Sequence, residues 1–378
     1  MMDKIVALHA DDMDVVVQPG VGWMDLNSQI SSSGLFFPVD PGPSAMIGGM
    51  VGTSCSGTNA VRYGTMKDNV VNLTVVLADG SVMKTKGRPR KSSAGYNLTN
   101  LFIGSEGTLG IVTEITLKLA AVPPKTAVAV TTFPSIYDAS KAAGEILKAG
   151  IQMGAMEIMD DVQMDVVNRA GGTGRTWEAV PTMFVKITGN DTQIKETTRL
   201  FREIAKQNKS GDLEFAGTLD EQAALWAARK QALWSMLSLR EKAAEVWTTD
   251  VAVPMSRLPE IIEKSKQDVA DLGLFASVLG HIGDGNFHAC IMYDAQDASQ
   301  VAKVSECSQR MVDNALEMEG TCTGEHGIGI GKKTHLIAEA GHVAIGVMQH
   351  VKHSLDPNWI LNPGKVFDHP SETDPVGH

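Results

Sequence analysis

The sequence predicts an α+β protein of two or more domains. Three observations carry that expectation. The chain has 378 residues, more than a single hydrophobic core usually organises. Its first third is rich in Gly, Thr and Val with frequent turn signals, whereas residues 126 to about 345 alternate apolar strand-like runs with amphipathic helical ones. Between them Val122-Pro123-Pro124 punctuates the chain, because neither proline can donate to a ladder or continue a helix.

In the first region, the runs Leu73–Leu77 and Val82–Thr85 flank Asp79-Gly80, a hairpin signal. Residues 111–119 alternate apolar and polar and predict a half-buried strand. In the second region, helices are expected near 136–149, 191–208, 220–243, 256–271 and 297–318. Strands are expected near 127–132, 183–188, 246–253, 275–281 and 287–293, forming a mainly antiparallel sheet. A last helix is expected near 342–354. The expected divisions are 1–125, 126–345 and 346–378.

Composition removes several function classes. The net charge of −11 disfavours nucleic-acid binding by charge. Cys55, Cys290, Cys307 and Cys322 form no C-x-x-C pair, so they read as reduced thiols of an intracellular compartment. No apolar run approaches the ~20 residues of a spanning helix, so at most peripheral membrane contact is expected. The N-terminus carries Asp11, Asp12 and Asp14, unlike an acid-poor transit peptide.

The sharpest local signal is His281-Ile282-Gly283-Asp284-Gly285-Asn286-Phe287-His288. With Asp284-Gly285 at the centre of a two-residue turn, His281 faces His288 and the two imidazoles can share one metal ion. The alternative is a pair of histidines capping a polar surface. Glu325-His326, flanked by Gly324 and Gly327, offers a carboxylate ligand and a base side by side. Two histidines and one carboxylate leave open coordination positions, as zinc, manganese or iron sites do. The competing reading makes Glu325 a helix-start carboxylate and His326 a packed polar residue. Gly327–Lys333 is not a phosphate loop, because His326 and Lys333 stand where the pattern needs Gly and Ser or Thr. Two glycine-rich stretches, Ile47–Asn59 and Gly104–Gly110, expose backbone N–H groups to phosphate or a flat ring, but neither has Rossmann spacing.

Taken together, Pro38–Pro43, Ile47–Asn59, Arg62-Tyr63-Gly64 and Gly104–Ile111 resemble the FAD-binding (PCMH-type) domain of the vanillyl-alcohol-oxidase-type flavoproteins. His281–His288, Thr321–Gly329 and Asn362-Pro363-Gly364-Lys365 resemble the branch of that family that oxidises D-2-hydroxy acids, closest to its mitochondrial, cytochrome-c-linked members. The resemblance implies the C-terminal part of a two-subdomain FAD domain followed by a substrate (cap) domain, with the last segment returning to the flavin. It implies that Gly48, Gly49, Thr53, Gly57, Asn59, Glu106, Gly107, Gly110, Ile111 and Asn362 line the FAD. It further implies that His281, His288 and Glu325 hold a divalent metal (zinc or manganese), that His326 is the base, and that Arg229 holds the substrate carboxylate. The implied reaction is oxidation of D-lactate or a similar small 2-hydroxy acid, with cytochrome c as acceptor and a mitochondrial location. D-2-hydroxyglutarate and glycolate are the nearest rival substrates; a metal hydrolase and a cofactor-less fragment are rivals from other classes. Family members carry an upstream Gly-rich segment that cradles the FAD pyrophosphate. The chain starts after it, so this chain is expected to hold FAD weakly or not at all.

Overall fold

The computed structural model describes residues 2–240 and 244–370. The chain divides into two compact units, Met1–Val122 with Glu325–His378, and Pro123–Gly324.

The first unit is built on a five-stranded antiparallel sheet in the order Ile5–His9, Asp14–Val17, Ile111–Lys118, Val70–Val76, Val82–Lys84. The expected hairpin is present: Asp79 accepts from the Ser81 N–H, and Gly80 takes the left-handed conformation (φ 83°) that closes the loop. Val15, Val17, Leu73, Val75, Ile115 and Leu117 fill the core with the short helices Trp23–Ile30 and Ile47–Thr53. Residues 333–355 form one helical run kinked at Gly341, longer than the expected 342–354. Its Val351 and Leu355 pack on the same core.

The second unit is an eight-stranded antiparallel sheet. Its path runs Glu214–Ala216, Lys125–Thr132, Thr182–Gly189, Ala155–Met159, Phe275–His281, Asn286–Asp294, Ala244–Thr248, and Val251–Ala252 also pairs with Asn286–Asp294. The expected helices are Ile136–Lys148, Asp191–Gln207, Leu219–Ser238, Leu258–Asp271 and Ala298–Glu317. Residues 241–243 of the expected helix 220–243 lie outside the described residues.

Sequence reading missed a central strand and the helix after it. Ala155–Met159 is buried at every position, so it shows no polar–apolar alternation, and its Ala and Met carry little strand signal. Asp161–Ala170 follows, its N-terminus capped by the Asp160 side chain, which accepts from the Gln163 N–H. The expected strand over 246–253 is two strands, broken at Thr249-Asp250.

The expected end of the middle division at 345 differs from the structure. Thr321 bridges to Ala252 and the Thr323 hydroxyl donates to Asp250, keeping them in the second unit. Glu325 instead accepts from the Ser56 hydroxyl at 2.6 Å, and the Ile328 and Gly329 amides donate to Glu106 at 2.6 and 2.8 Å, all within the first unit.

Candidate functional site

In the first unit the glycine-rich stretches form a surface made largely of backbone. The Glu106 N–H donates to the Gly52 carbonyl at 2.9 Å and the Gly104 N–H to that of Val51 at 2.9 Å, joining the Gly104–Gly110 turn to the helix Ile47–Thr53. Glu106 has a positive φ (51°), as does Gly107 (73°). The Asn362 side chain donates to the Glu106 carbonyl, so the C-terminal segment reaches this turn.

The expected flavin-lining residues separate into two kinds. A side chain at Gly48 would lie 2.5 Å from Pro19, at Gly57 2.6 Å from Asp40, and at Gly110 2.4 Å from Val75; close packing explains those glycines. Gly49 and Gly52 meet no neighbour within 4 Å, and Gly107 meets only Asn362. Packing does not require glycine at those positions, and the open backbone there suits close approach of a large flat ligand. Thr53 donates to the Gly49 carbonyl at 3.3 Å, Asn59 is tied by its N–H to Asp40 and by its amide to Pro38, and Ile111 is half exposed at the start of its strand. His326 is also partly exposed, its Nε2 4.0 Å from a Glu325 oxygen.

In the second unit the histidine hairpin is real, but its register is not the expected one. His281 pairs with Asn286, and His288 pairs with Leu279, leaving a four-residue loop, Ile282–Gly285, instead of a two-residue turn. The Asp284 N–H donates to the His281 carbonyl, and Gly285 (φ 73°) approaches Val253 so closely that a side chain would lie 2.2 Å from its carbonyl. The loop is therefore fitted to the Val251–Ala252 edge, which sequence spacing could not reveal. The offset is two residues, so side-chain parity survives and both rings stay on one face. Their centroids are 5.6 Å apart, edge to face, and both residues are buried.

Each ring is anchored through Nδ1. His288 Nδ1 lies 3.0 Å from the Thr249 carbonyl and 3.7 Å from an Asp250 oxygen. A carbonyl can only accept, so Nδ1 carries a proton. His281 Nδ1 lies 2.8 Å from Glu157 Oε1. The strand register Leu279↔Met159, Gly280↔Ile158 sets His281 across from Glu157. Arg229, which the resemblance assigns to the substrate carboxylate, is mostly buried, with Nε and Nη2 both 2.8 Å from Glu157 Oε2. Burial pushes the Glu157 carboxyl up, but the charges and hydrogen bonds of His281 and Arg229 outweigh it and hold it below the usual carboxylate range. Two imidazoles oriented through Nδ1 and backed by the carboxylates of Glu157 and Asp250 are a donor set that fits a divalent cation. Sequence reading missed both carboxylates: Glu157 lies on a strand that was not expected, and Asp250 at a break within the expected strand 246–253.

Comparisons with known proteins agree with this architecture. Residues 122–366 match the model of the C-terminal domain of FAD linked oxidases, and residues 1–86 match a FAD binding domain. The chain is 48% identical over 382 residues to a mitochondrial D-lactate dehydrogenase [cytochrome] of Kluyveromyces lactis, covering 100% of this chain and 65% of that protein. It is 46% identical to the Arabidopsis thaliana protein of the same name, covering 97% and 64%. The chain thus spans less than two thirds of the length of these relatives. The glycolate oxidase subunit GlcD of Bacillus subtilis is 31% identical, with 97% of this chain and 78% of that one covered. A crystal structure of p-cresol methylhydroxylase with substrate bound shares the fold at a TM-score of 0.75 and 18% identity, covering 97% and 78%.

Proposed function

We propose that this chain, which belongs to the FAD linked oxidases, is the larger part of an enzyme that oxidises a small D-2-hydroxy acid, D-lactate first among them, to the 2-keto acid. The observation that carries the reading is the buried histidine pair with its carboxylate supports, found in a chain that also matches flavin-binding models. The relatives' names support a mitochondrial location and a cytochrome as electron acceptor, for which cytochrome c is our proposal.

The open backbone at Gly49, Gly52 and Gly107, with Thr53, Asn59, Glu106, Ile111 and Asn362 around it, fits FAD; Gly48, Gly57 and Gly110 let that surface pack. His281, His288 and Glu325 are the proposed ligands of zinc or manganese. When bound, FAD supplies two-electron redox chemistry as a hydride acceptor, and the cation supplies Lewis-acid polarisation.

The remaining roles belong to the chain's own side chains. Arg229 pairs with the substrate carboxylate through guanidinium hydrogens beyond those facing Glu157. His326 takes the proton of the substrate hydroxyl as general base, help typically worth ~10²–10⁴-fold. Ser56 holds Glu325 in orientation through its hydroxyl.

The test is anaerobic addition of D-lactate, L-lactate, D-2-hydroxyglutarate and glycolate to the FAD-loaded protein extended by the upstream segment that family members carry, with and without a chelator. Chelator-sensitive bleaching of the flavin absorbance by D-lactate is expected. Bleaching by D-2-hydroxyglutarate or glycolate alone would move the substrate to one of those rivals. No bleaching in a protein that holds FAD would overturn the substrate class.

A further inference from the structure

Glu157 carries the most demanding electrostatics in the second unit. It sits at the middle of the strand Ala155–Met159, fully buried, with two cationic or hydrogen-bonding partners on separate oxygens. Oε1 faces His281 Nδ1 at 2.8 Å; Oε2 takes both Nε and Nη2 of Arg229 at 2.8 Å. A buried carboxylate with this geometry is costly unless both partners stay, whereas replacing the whole charged group with apolar residues is often tolerated by folds that need only stability. Here the partners come from different elements with different proposed tasks. His281 ends a strand, and Arg229 lies on the helix Leu219–Ser238, packed over the sheet through Leu225, Trp226, Ala228 and Ala232.

We propose that Glu157 is a positioning residue that couples the two: one carboxylate orients the metal-ligating His281 and the carboxylate-binding Arg229, and shares its charge between them. This rests on the reading of His281 as a ligand and Arg229 as the substrate's partner. The physical consequence is directional. Charge that Glu157 directs at His281 Nδ1–H makes Nε2 a stronger donor to a cation. Charge it directs at Arg229 is withheld from His281. Anything that draws Arg229 toward a second carboxylate, such as a bound 2-hydroxy acid, releases Glu157 toward His281 and tightens the metal as substrate arrives. By linkage the metal tightens the acid by the same factor.

The test is titration of the chain with Mn²⁺, followed by loss of the free-ion electron paramagnetic resonance signal, which needs neither flavin nor turnover. Glu157→Gln is expected to bind Mn²⁺ about 10–100-fold more weakly. Arg229→Met is expected to bind it severalfold more tightly, because the carboxylate then serves His281 alone. In the double variant that gain should vanish. Unchanged affinity in Glu157→Gln overturns the proposal. A gain that persists in the double variant also overturns it, because Arg229 would then act by direct repulsion of the cation. So does equal weakening in both single variants, the mark of a merely structural role. If Glu157→Gln does not fold, Glu157→Asp replaces it: the retracted carboxylate should weaken Mn²⁺ binding, and wild-type affinity there overturns the idea. A wild-type chain that binds Mn²⁺ no better than His288→Ala would instead sink the metal reading itself, a distinct outcome.

Discussion

The two candidate regions solve recognition with opposite materials. In the first unit the Ile47–Thr53 helix and the Gly104–Gly110 turn present backbone, with side chains turned to holding loops together: Glu106 caps the Ile328 and Gly329 amides, and Asn362 reaches the Glu106 carbonyl. In the second unit the site is made of buried ionisable side chains on neighbouring strands and one helix, each held by a named partner. A backbone surface tolerates close approach by a large ring and has little charge to offer. A network of buried imidazole, carboxylate and guanidinium is rigid, charged and costly, and suits a small cation and a small anion. The difference teaches that glycines report only the space near a ligand, whereas paired buried charges report its chemistry.

The sharpest way to break this contrast is His288→Ala. It should weaken metal binding by more than about 100-fold, the upper end of what losing an outer partner does, while FAD retention, read in the protein extended by the family's upstream segment, stays unchanged. Metal content after dialysis and flavin absorbance read the two separately; parallel loss of both would mean that the regions do not act independently.

The next effect concerns a place where the first unit does rely on buried charge. Lys352 is buried and donates to Asp356, to the Thr108 carbonyl at 2.7 Å and to the Leu361 carbonyl at 2.9 Å, tying the glycine turn to the segment that carries Asn362. Lys352→Met should cost about 3–5 kcal/mol in urea unfolding, because Asp356 is left as a buried charge without its cation. Burial pushes the Asp356 carboxyl up, but Lys352 and the Leu361 and Ile360 N–H groups outweigh it and hold it below its ordinary value. A depressed folded pKa means that this stability is present above the unfolded value, about 4, and is lost as pH falls through the folded one. Acid unfolding of wild type should therefore include this contribution, and Lys352→Met should lack it. An unfolding free energy within about 1 kcal/mol of wild type would show that the ion pair is dispensable.

The smallest effect separates the two kinds of glycine. Gly110→Ala should cost about 1–3 kcal/mol through overpacking against Val75 and Phe102. Gly49→Ala, on an open helix face, should leave folding unharmed or improve it by up to about 1 kcal/mol, yet reduce FAD retention in the protein extended by the family's upstream segment. Thermal melts with and without added FAD distinguish them; equal melts and equal FAD retention would remove Gly49 from the proposed cofactor surface.

Much of this was legible in the chain itself. The hairpin at Asp79-Gly80, the antiparallel α+β character and the placing of His281 and His288 on one face all follow from local turn chemistry and two-residue periodicity, which need no distant partner. That parity outlasted a wrong register, because an offset of two residues moves a side chain along the strand without turning it to the other face. What only the tertiary structure decided was whatever depends on contacts far along the chain. The strand Ala155–Met159 is a strand because sheet neighbours claim both its edges. Glu157 is a charged core residue because Arg229, 72 positions away, and His281, 124 positions away, neutralise it there. The hairpin loop has four residues because Val253 occupies the space beside Gly285. Local sequence sets which conformations are cheap, whereas the partners that make a buried charge or a close approach tolerable exist only once the chain has folded.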